Sequence, residues 1–265
     1  MATVEVEGCA LAYDDVGAGA AVVLLHAGIA DRRMWRHQAA ELRGHRRVLA
    51  VDLPGYGEST VPTGAYANHD AVAGLLDELD IPQASLVGCS FGGKVAIDTA
   101  LAHPDRVNAL ALFGAAVSGH PWSEEFKELH QSLFGDIADD DLEAVTAAEI
   151  DLWVVGPDRE PGELDPQLLA FATEMDRQAL AAETALDAVP VRELHPPAIG
   201  RLGEIRVPTL VAVGAADVPE IRHLADVLAA QVPDARRLPD VPDAAHLLPL
   251  ECSDPVNAAL LAFLP

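Results

Sequence analysis

The sequence predicts an α/β fold in which a mostly parallel β-sheet carries helices on both faces and is interrupted by a helical insertion. Short apolar runs alternate with longer amphipathic stretches through most of the 265 residues, which is typical of strand–helix–strand units. The alternation stops between residues 118 and 204, where the pattern is helical throughout. We therefore expect one core, formed by residues 1–117 and 205–265, and a cap formed by residues 118–204.

The first predicted strands differ in pattern from those that follow. Thr3–Glu7 alternates valine with polar residues, as a half-exposed strand does, and Ala10–Asp15 is its expected hairpin partner. Ala21–His26 is an unbroken apolar run, which suits a central parallel strand that is covered on both faces. Further apolar runs predict the remaining strands at Arg47–Asp52, Ser85–Val87, Val107–Phe113, Val207–Val213 and Ala235–Leu238.

Amphipathic stretches bounded by helix breakers predict the helices. Pro82 lies beyond one such stretch, and His103-Pro104 ends another. In the core we expect helices at Met34–Leu42, Ala65–Leu79, Lys94–Ala100, Pro219–Gln231 and Asp254–Phe263. In the cap we expect them at Ser123–Phe134, Asp139–Val154 and Pro166–Val189, with proline and glycine pairs between them.

The composition limits the class of protein. The net charge is −25, and such an acidic surface repels nucleic acid and anionic membranes. Cys9, Cys89 and Cys252 cannot all pair and lack the spacing of a metal site, so we expect reduced thiols, no bound metal and a cytoplasmic location. The acidic start of the chain lacks the features of a signal peptide, and no run reaches the ~20 apolar residues of a membrane span.

The five residues that begin at Gly88 read Gly-Cys-Ser-Phe-Gly and lie between a predicted strand and a predicted helix. In this context the pattern predicts a sharp turn that holds a serine nucleophile in a strained conformation. Side chains at Gly88 and Gly92 would collide with neighbouring backbone. The turn places the Phe91 amide at the positive end of the new helix. Ser90 is the expected nucleophile, and Cys89 is expected to be a small buried hydrophobe.

An activated serine needs a base within reach and an acid that orients the base. His246, in the loop after the last predicted strand, is the expected base, and Asp217, just beyond the preceding strand, is the expected acid. The order Ser90, Asp217, His246 agrees with that of other nucleophiles on a strand–turn–helix elbow. Asp240 remains an alternative acid because it also precedes His246. Asp98, on the helix after Ser90, is expected to be a solvated charge.

Two backbone amides are expected to bind the negative oxygen that develops during acyl transfer. One belongs to Phe91. The other belongs to the loop from His26 to Ile29, which follows a predicted strand. We expect Gly28 to be this second donor, with Ala27 as the alternative, and His26 to brace the loop.

These segments together resemble the α/β-hydrolase superfamily, and within it the capped serine esterases and 3-oxoadipate enol-lactonases. The resemblance covers nearly the whole chain and implies an eight-stranded sheet with a helical cap over the site. It implies that Ser90 is the nucleophile, Asp217 the acid and His246 the base. Two residues depart from the family pattern. Ala27 stands between a histidine and a glycine, where the family usually has His-Gly, and Cys89 stands where many members have histidine. The matching motifs are Leu24–Gly28, Asp52–Gly57, Gly88–Gly93, Gly214–Asp217 and Ala244–His246.

The function that these observations favour is cofactor-free hydrolysis of a small, largely apolar ester or lactone through an acyl-enzyme. The enol-lactonase resemblance, which in the cap rests on Leu152–Pro157 and Pro196–Leu202, implies an anionic substrate instead. An anion needs a cation in the pocket, yet Arg159, Arg177 and Arg192 each lie near an acid in the sequence. We therefore expect a neutral substrate.

The substrate pocket is expected to include His26 and Ile29 from the oxyanion loop and Trp122 and Trp153 from the cap. Among these, Trp153 is expected to face the substrate. Alternative functions on the same scaffold are C–C bond hydrolysis of the meta-cleavage type, a non-hydrolytic biosynthetic cyclase and a ligand receptor. Haloalkane dehalogenases and epoxide hydrolases use an aspartate nucleophile, which Ser90 argues against. The expected partner is a small molecule, and the sequence leaves the oligomeric state open.

Overall fold

The structure is a computed structural model that describes residues 1–138 and 140–265. At its centre is a sheet of eight strands: β1 (Ala2–Val6), β2 (Cys9–Gly17), β3 (Ala21–Leu25), β4 (Arg47–Val51), β5 (Ala84–Cys89), β6 (Val107–Phe113), β7 (Thr209–Ala212) and β8 (Ala235–Arg237). They lie in the order β1-β2-β4-β3-β5-β6-β7-β8. The pairs β1–β2 and β2–β4 are antiparallel, and the other pairs are parallel. The predicted mostly parallel, eight-stranded sheet is therefore confirmed.

The helices are α1 (Arg36–Leu42), α2 (Asn68–Glu78), α3 (Phe91–Ala102), α4 (Glu124–Phe134), α5 (Leu142–Glu149), α6 (Pro166–Leu186), α7 (Pro219–Gln231), α8 (Leu248–Glu251) and α9 (Ser253–Phe263). A 3₁₀ turn, Arg32–Trp35, leads into α1, so the expected helix at Met34–Leu42 is divided. In the part of the chain that the structure describes, no helix is long and apolar enough to cross a bilayer.

The central strand β3 contributes to a core on each face of the sheet. All five of its residues are buried, as the apolar run predicts. Val23 and Leu25 belong to the core covered by α2, α3 and α7, whereas Val22 and Leu24 belong to the core covered by α1 and α9. This division follows from the alternation of side chains along a strand. Helices thus cover both faces of the sheet.

The helical insertion lies between β6 and β7 and contains α4, α5 and α6. Asp139, where we expected the second cap helix to begin, lies outside the described residues. That helix is not a single α-helix, because α5 passes into a π-helix at Ile150–Val155. The wider turn is closed by a hydrogen bond of 3.0 Å from the Gly156 amide to the Asp151 carbonyl. π-Helical turns are rare and are found frequently at functional sites.

Asp98, expected to be a solvated charge, is instead buried, with 2% of its surface exposed. Its carboxylate accepts hydrogen bonds from the Ser118 hydroxyl at 2.7 Å and from Lys94 Nζ at 3.1 Å. The Ser118 hydroxyl in turn accepts a bond from the Ala198 amide. The expectation was wrong because α3 is covered by the start and the end of the insertion. Asp98 therefore ties this helix to both ends of the cap segment.

Candidate active site

The strand–turn–helix elbow lies where β5 passes into α3. Ser90, between the two elements, has φ 52° and ψ −116°, a strained backbone conformation for a residue with a side chain. A Cβ on Gly88 would lie 2.3 Å from the Gly92 carbonyl oxygen, and a Cβ on Gly92 would lie 2.1 Å from the Leu25 carbonyl oxygen. Both positions therefore require glycine. Ser90 is half-buried, whereas Cys89 is fully buried, and burial raises the pKa of its thiol.

The expected base and acid form a buried pair. His246 Nδ1 lies 2.8 Å from Asp217 Oδ2, and the exposed fraction of each residue is 3% or less. The second carboxylate oxygen, Oδ1, accepts a hydrogen bond of 2.8 Å from the Val218 amide. With both oxygens held, the Asp217 carboxylate fixes the orientation of the imidazole ring and directs Nε2 away from the acid. This is the arrangement that a histidine base requires.

The loop that carries His246 packs directly against the elbow. The Cys89 thiol donates to the His246 carbonyl at 3.5 Å. Ser90 is hydrogen-bonded through its backbone to residues on either side of Gly114, and a Cβ on Gly114 would lie 3.2 Å from His246 Nδ1. Among the described residues, the Ser90 hydroxyl makes no hydrogen bond to His246. Nucleophile–base bonds are often long in unliganded enzymes and tighten when substrate binds.

The alternative acid is held elsewhere. Asp240 forms ion pairs with Arg237 at 2.5 Å and with Arg222 at 3.2 Å. These contacts account for its carboxylate without any contribution from His246. Asp217 is therefore the carboxylate that the structure places on the imidazole.

The two expected oxyanion donors belong to residues that lie close together. A Cβ on Gly28 would lie 3.8 Å from the Phe91 Cβ. Within residues 1–138 and 140–265, neither the Gly28 amide nor the Phe91 amide is bonded to an acceptor. The Ala27 amide, by contrast, donates to the Met34 sulfur at 3.4 Å. Gly28 is thus available as a donor, and Ala27 is not.

The side chains of His26 and Ile29 are buried in the oxyanion loop. His26 is fully buried; its Nε2 accepts a hydrogen bond of 3.0 Å from the Leu53 amide, and its Nδ1 lies 2.7 Å from the Ala27 carbonyl. Burial lowers the pKa of His26, which agrees with a neutral ring that donates through Nδ1. Ile29 is 8% exposed and belongs to a hydrophobic core. His26 therefore braces the oxyanion loop, and the place of both side chains in the pocket stays a prediction.

A row of aromatic rings leads from the base into the cap. The Trp153 ring lies 4.6 Å from the His246 ring between centroids, and the Trp153 carbonyl accepts a hydrogen bond of 3.2 Å from the His246 amide. Phe126 lies 6.0 Å beyond Trp153, and Trp122 stacks on Phe126 at 4.6 Å. Trp153 is therefore at the site, whereas Trp122, which is 36% exposed, is separated from it by one ring.

The cap arginines are all occupied by acids. Arg159 is bonded to Glu251 at 2.6 Å and to two carbonyls of the π-helix. Arg177 pairs with Glu143 at 2.7 Å, and Arg192 pairs with two acids of the core. These contacts leave none of the three guanidinium groups free to bind a carboxylate at the site.

A group of acids in the cap was missed by the sequence analysis. Asp176 is fully buried in α6, and the half-buried Glu149 lies at the end of α5, which packs against α6. Burial raises the pKa of Asp176 to about 9, and Glu149 adds to the rise. Burial also raises the pKa of Glu149. In the described chain neither Asp176 oxygen has a hydrogen-bond partner, which disfavours its ionised form and agrees with the raised pKa.

Glu183 and Tyr56 connect these acids to the elbow. Glu183, seven residues after Asp176 and thus on the same face of α6, accepts a hydrogen bond of 2.9 Å from the Tyr56 hydroxyl. The Tyr56 ring lies 6.0 Å from the Phe91 ring. No spacing in the sequence relates Glu149 to Asp176, because the two residues lie on different helices.

Asp176→Asn should stabilise the folded protein at alkaline pH. Asp176 titrates near pH 9 in the folded state and near pH 4 when unfolded, so the wild type loses stability as the pH rises between these values. Asparagine is neutral throughout this range. Urea unfolding should show a gain of about 2 kcal/mol at pH 8 and a much smaller one at pH 5. Asp158→Asn, at an exposed position, is the control, and destabilisation by Asp176→Asn at pH 8 would contradict the raised pKa of Asp176.

Residues 20–251 match the family model described as the alpha/beta hydrolase fold. The chain is 41% identical to 2-hydroxymuconate semialdehyde hydrolase from Pseudomonas sp. strain CF600, but this match covers only 42% of the chain and 41% of that protein. It is 32% identical to a 2-hydroxy-6-oxononadienedioate/2-hydroxy-6-oxononatrienedioate hydrolase from Paraburkholderia phymatum, over 77% of the chain and 74% of the relative.

A solved structure gives a match over the full length. The enol-lactonase from Burkholderia xenovorans LB400 superimposes with a TM-score of 0.77 and 27% identity, covering 99% of each chain. The resemblance to the esterase and lactonase branch is thereby confirmed at the level of overall structure. The sheet order, the elbow at Ser90 and the match of residues 20–251 together show that this chain belongs to the alpha/beta hydrolase fold family.

Proposed function

We propose that the protein is a serine hydrolase that cleaves a small, largely apolar carboxylic ester or lactone bearing no carboxylate. The observation that carries the proposal is the buried Asp217–His246 pair packed against the Ser90 elbow. A strained serine, an oriented imidazole and two unoccupied amides are the parts that acyl transfer needs.

The proposed reaction proceeds in two halves. The Ser90 hydroxyl attacks the substrate carbonyl while His246 Nε2 takes its proton, and the Gly28 and Phe91 amides bind the resulting oxyanion. The carbon–oxygen bond then breaks, and His246 returns the proton to the leaving alcohol. Water attacks the Ser90 ester in the same manner, with His246 again acting as the base, and releases the acid. Asp217 stays ionised and stabilises the imidazolium in both halves.

Two features support a substrate without a carboxylate. The cap arginines are held by acids, so the cation that a carboxylate would need is not supplied by them. The net charge of −25 also repels anions that approach from solution. Trp153 and Phe126 offer an apolar, aromatic wall beside the base.

C–C bond hydrolysis is a second candidate. It is favoured by the sequence matches to 2-hydroxymuconate semialdehyde hydrolase and to the 2-hydroxy-6-oxononadienedioate hydrolase. The enol-lactonase match favours an ester-type bond instead. The substrates named for the two sequence relatives carry acidic groups. The cap arginines, which are paired with acids, would not bind such groups.

A substrate panel distinguishes these candidates. The rates kcat/KM would be measured for a neutral p-nitrophenyl ester, its carboxylate-bearing analogue, a neutral lactone and a 2-hydroxy-6-oxodienoate. We expect the neutral ester or lactone to be preferred to the carboxylate-bearing ester and to the dienoate by at least ~10-fold, at low and at high salt. A preference for the dienoate would establish C–C hydrolysis. A preference for the carboxylate ester that is lost in Arg159→Ala, Arg177→Ala or Arg192→Ala would contradict the proposed substrate class.

A further inference from the structure

A cavity of about 330 Å³ lies where the cap meets the core, next to the elbow. Three aromatic side chains, Tyr56, Tyr66 and Phe91, form part of its wall. Phe91 directly follows Ser90, so the cavity borders the elbow that carries the nucleophile. Tyr56 and Tyr66 are less than 8% exposed, which makes their rings fixed parts of the wall.

Three of the residues that line the cavity carry carboxylates. Glu183 lines it and is fixed by the bond from the Tyr56 hydroxyl. Asp187 and Glu193 also line it. Asn68 lines it as well, is 8% exposed, and has a side-chain oxygen to which no described residue donates a hydrogen bond.

Positive charge near the cavity is already neutralised. Lys94 Nζ binds Glu193 at 2.7 Å and Asp98 at 3.1 Å. Burial raises the pKa of Glu183, while the bond from Tyr56 lowers it. A bound cation would favour the ionised carboxylate further. A cavity that combines aromatic rings, a fixed carboxylate and an unpartnered amide oxygen has the composition that recognises ammonium groups.

We propose that this cavity binds a quaternary or primary ammonium group of the substrate, so that the hydrolase prefers esters of cationic amino alcohols. The inference rests on the proposed ester hydrolysis and specifies the substrate class. The largely apolar part of the ester lies against Trp153 and Phe126, and the ammonium group lies against Tyr56, Phe91 and Glu183. The net charge of −25 attracts such a substrate from solution.

The test uses two esters of equal shape. Choline butyrate carries a trimethylammonium group, and 3,3-dimethylbutyl butyrate has a neutral tert-butyl group in its place. We expect kcat/KM to be about tenfold higher for choline butyrate, mainly through KM, as ~1.4 kcal/mol of differential binding would give. The ratio should fall toward one in Glu183→Gln. Glu174→Gln, an exposed glutamate on the same helix, should retain the wild-type ratio.

The outcomes separate this inference from the proposed function. Hydrolysis of both esters at equal kcat/KM, or a ratio that Glu183→Gln leaves unchanged, would overturn the ammonium site and leave ester hydrolysis standing. If neither ester is cleaved, calorimetric titration with tetramethylammonium tests the site without turnover. Binding to the wild type that is weakened about tenfold in Glu183→Gln would support the site, and absence of binding to the wild type would overturn it.

Discussion

Replacing Ser90 with alanine should lower kcat by on the order of 10³-fold or more on the best ester, with little change in KM. The substitution removes the hydroxyl that forms the acyl-enzyme and leaves the oxyanion amides and the aromatic wall in place. Residual activity should come from those remaining groups. The measurement is steady-state hydrolysis of the preferred ester by purified wild type and variant.

The matched control is Ser85→Ala, on β5, the strand that leads to Ser90. Ser85 donates a hydrogen bond to Asn108 at 2.7 Å and takes no part in the site. Its loss should reduce stability slightly and leave kcat within a factor of a few. Wild-type turnover by Ser90→Ala would show that the chemistry takes place elsewhere in the molecule.

Asp217→Asn should lower kcat by about 10³–10⁴-fold, by analogy with the loss that follows when a triad acid becomes an amide. The buried carboxylate accepts from His246 Nδ1, whereas an amide nitrogen at that position would donate to it and would stabilise the wrong imidazole tautomer. The Val218 amide still has an oxygen to bind, so the loop should keep its conformation. The fold should therefore survive, as circular dichroism and thermal unfolding can verify.

Asp240→Asn is the control for this substitution. Asp240 pairs with Arg237 and Arg222, so its loss should lower stability modestly and leave kcat near the wild-type value. If Asp240→Asn proved the more damaging of the two substitutions, the assignment of the acid would be wrong.

The parts of the fold that the sequence predicted well are those with strong local patterns. The unbroken apolar run of β3 can be satisfied only between two covered faces, and the structure covers both. The glycines at 88 and 92 indicated close backbone approach. A Cβ added at either position would lie 2.3 Å or less from a neighbouring carbonyl oxygen. Patterns of this kind depend on a few adjacent residues, so they can be recognised without tertiary information.

The parts that the sequence did not predict depend on contacts between distant segments. Asp98 has the spacing of an ordinary helix-surface acid, and only the packing of residues 118 and 198 over α3 buries it. The raised pKa of Asp176 likewise depends on two helices that bring Glu149 near it. Pairing of α5 with α6 has no local signal in the sequence.

The choice between Gly28 and Ala27 shows the same limit within the site. Both amides lie in one loop, and either is close enough in sequence to serve as the oxyanion donor. The structure separates them because the Met34 sulfur, seven residues along the chain from Ala27, accepts the Ala27 N–H. The sequence analysis placed His26 in the correct loop. Its burial depends on a hydrogen bond from the Leu53 amide, which lies in a different segment of the chain.

The measurement that tests the central claim most directly is active-site labelling with a fluorophosphonate, followed by peptide mass spectrometry. An activated serine should be labelled in a one-to-one ratio at Ser90, and hydrolysis should stop in proportion to the labelled fraction. Labelling should be lost in Ser90→Ala and slowed about 10³-fold or more in Asp217→Asn. An enzyme that hydrolyses esters while Ser90 stays unlabelled, or that is labelled at another residue, would contradict the account.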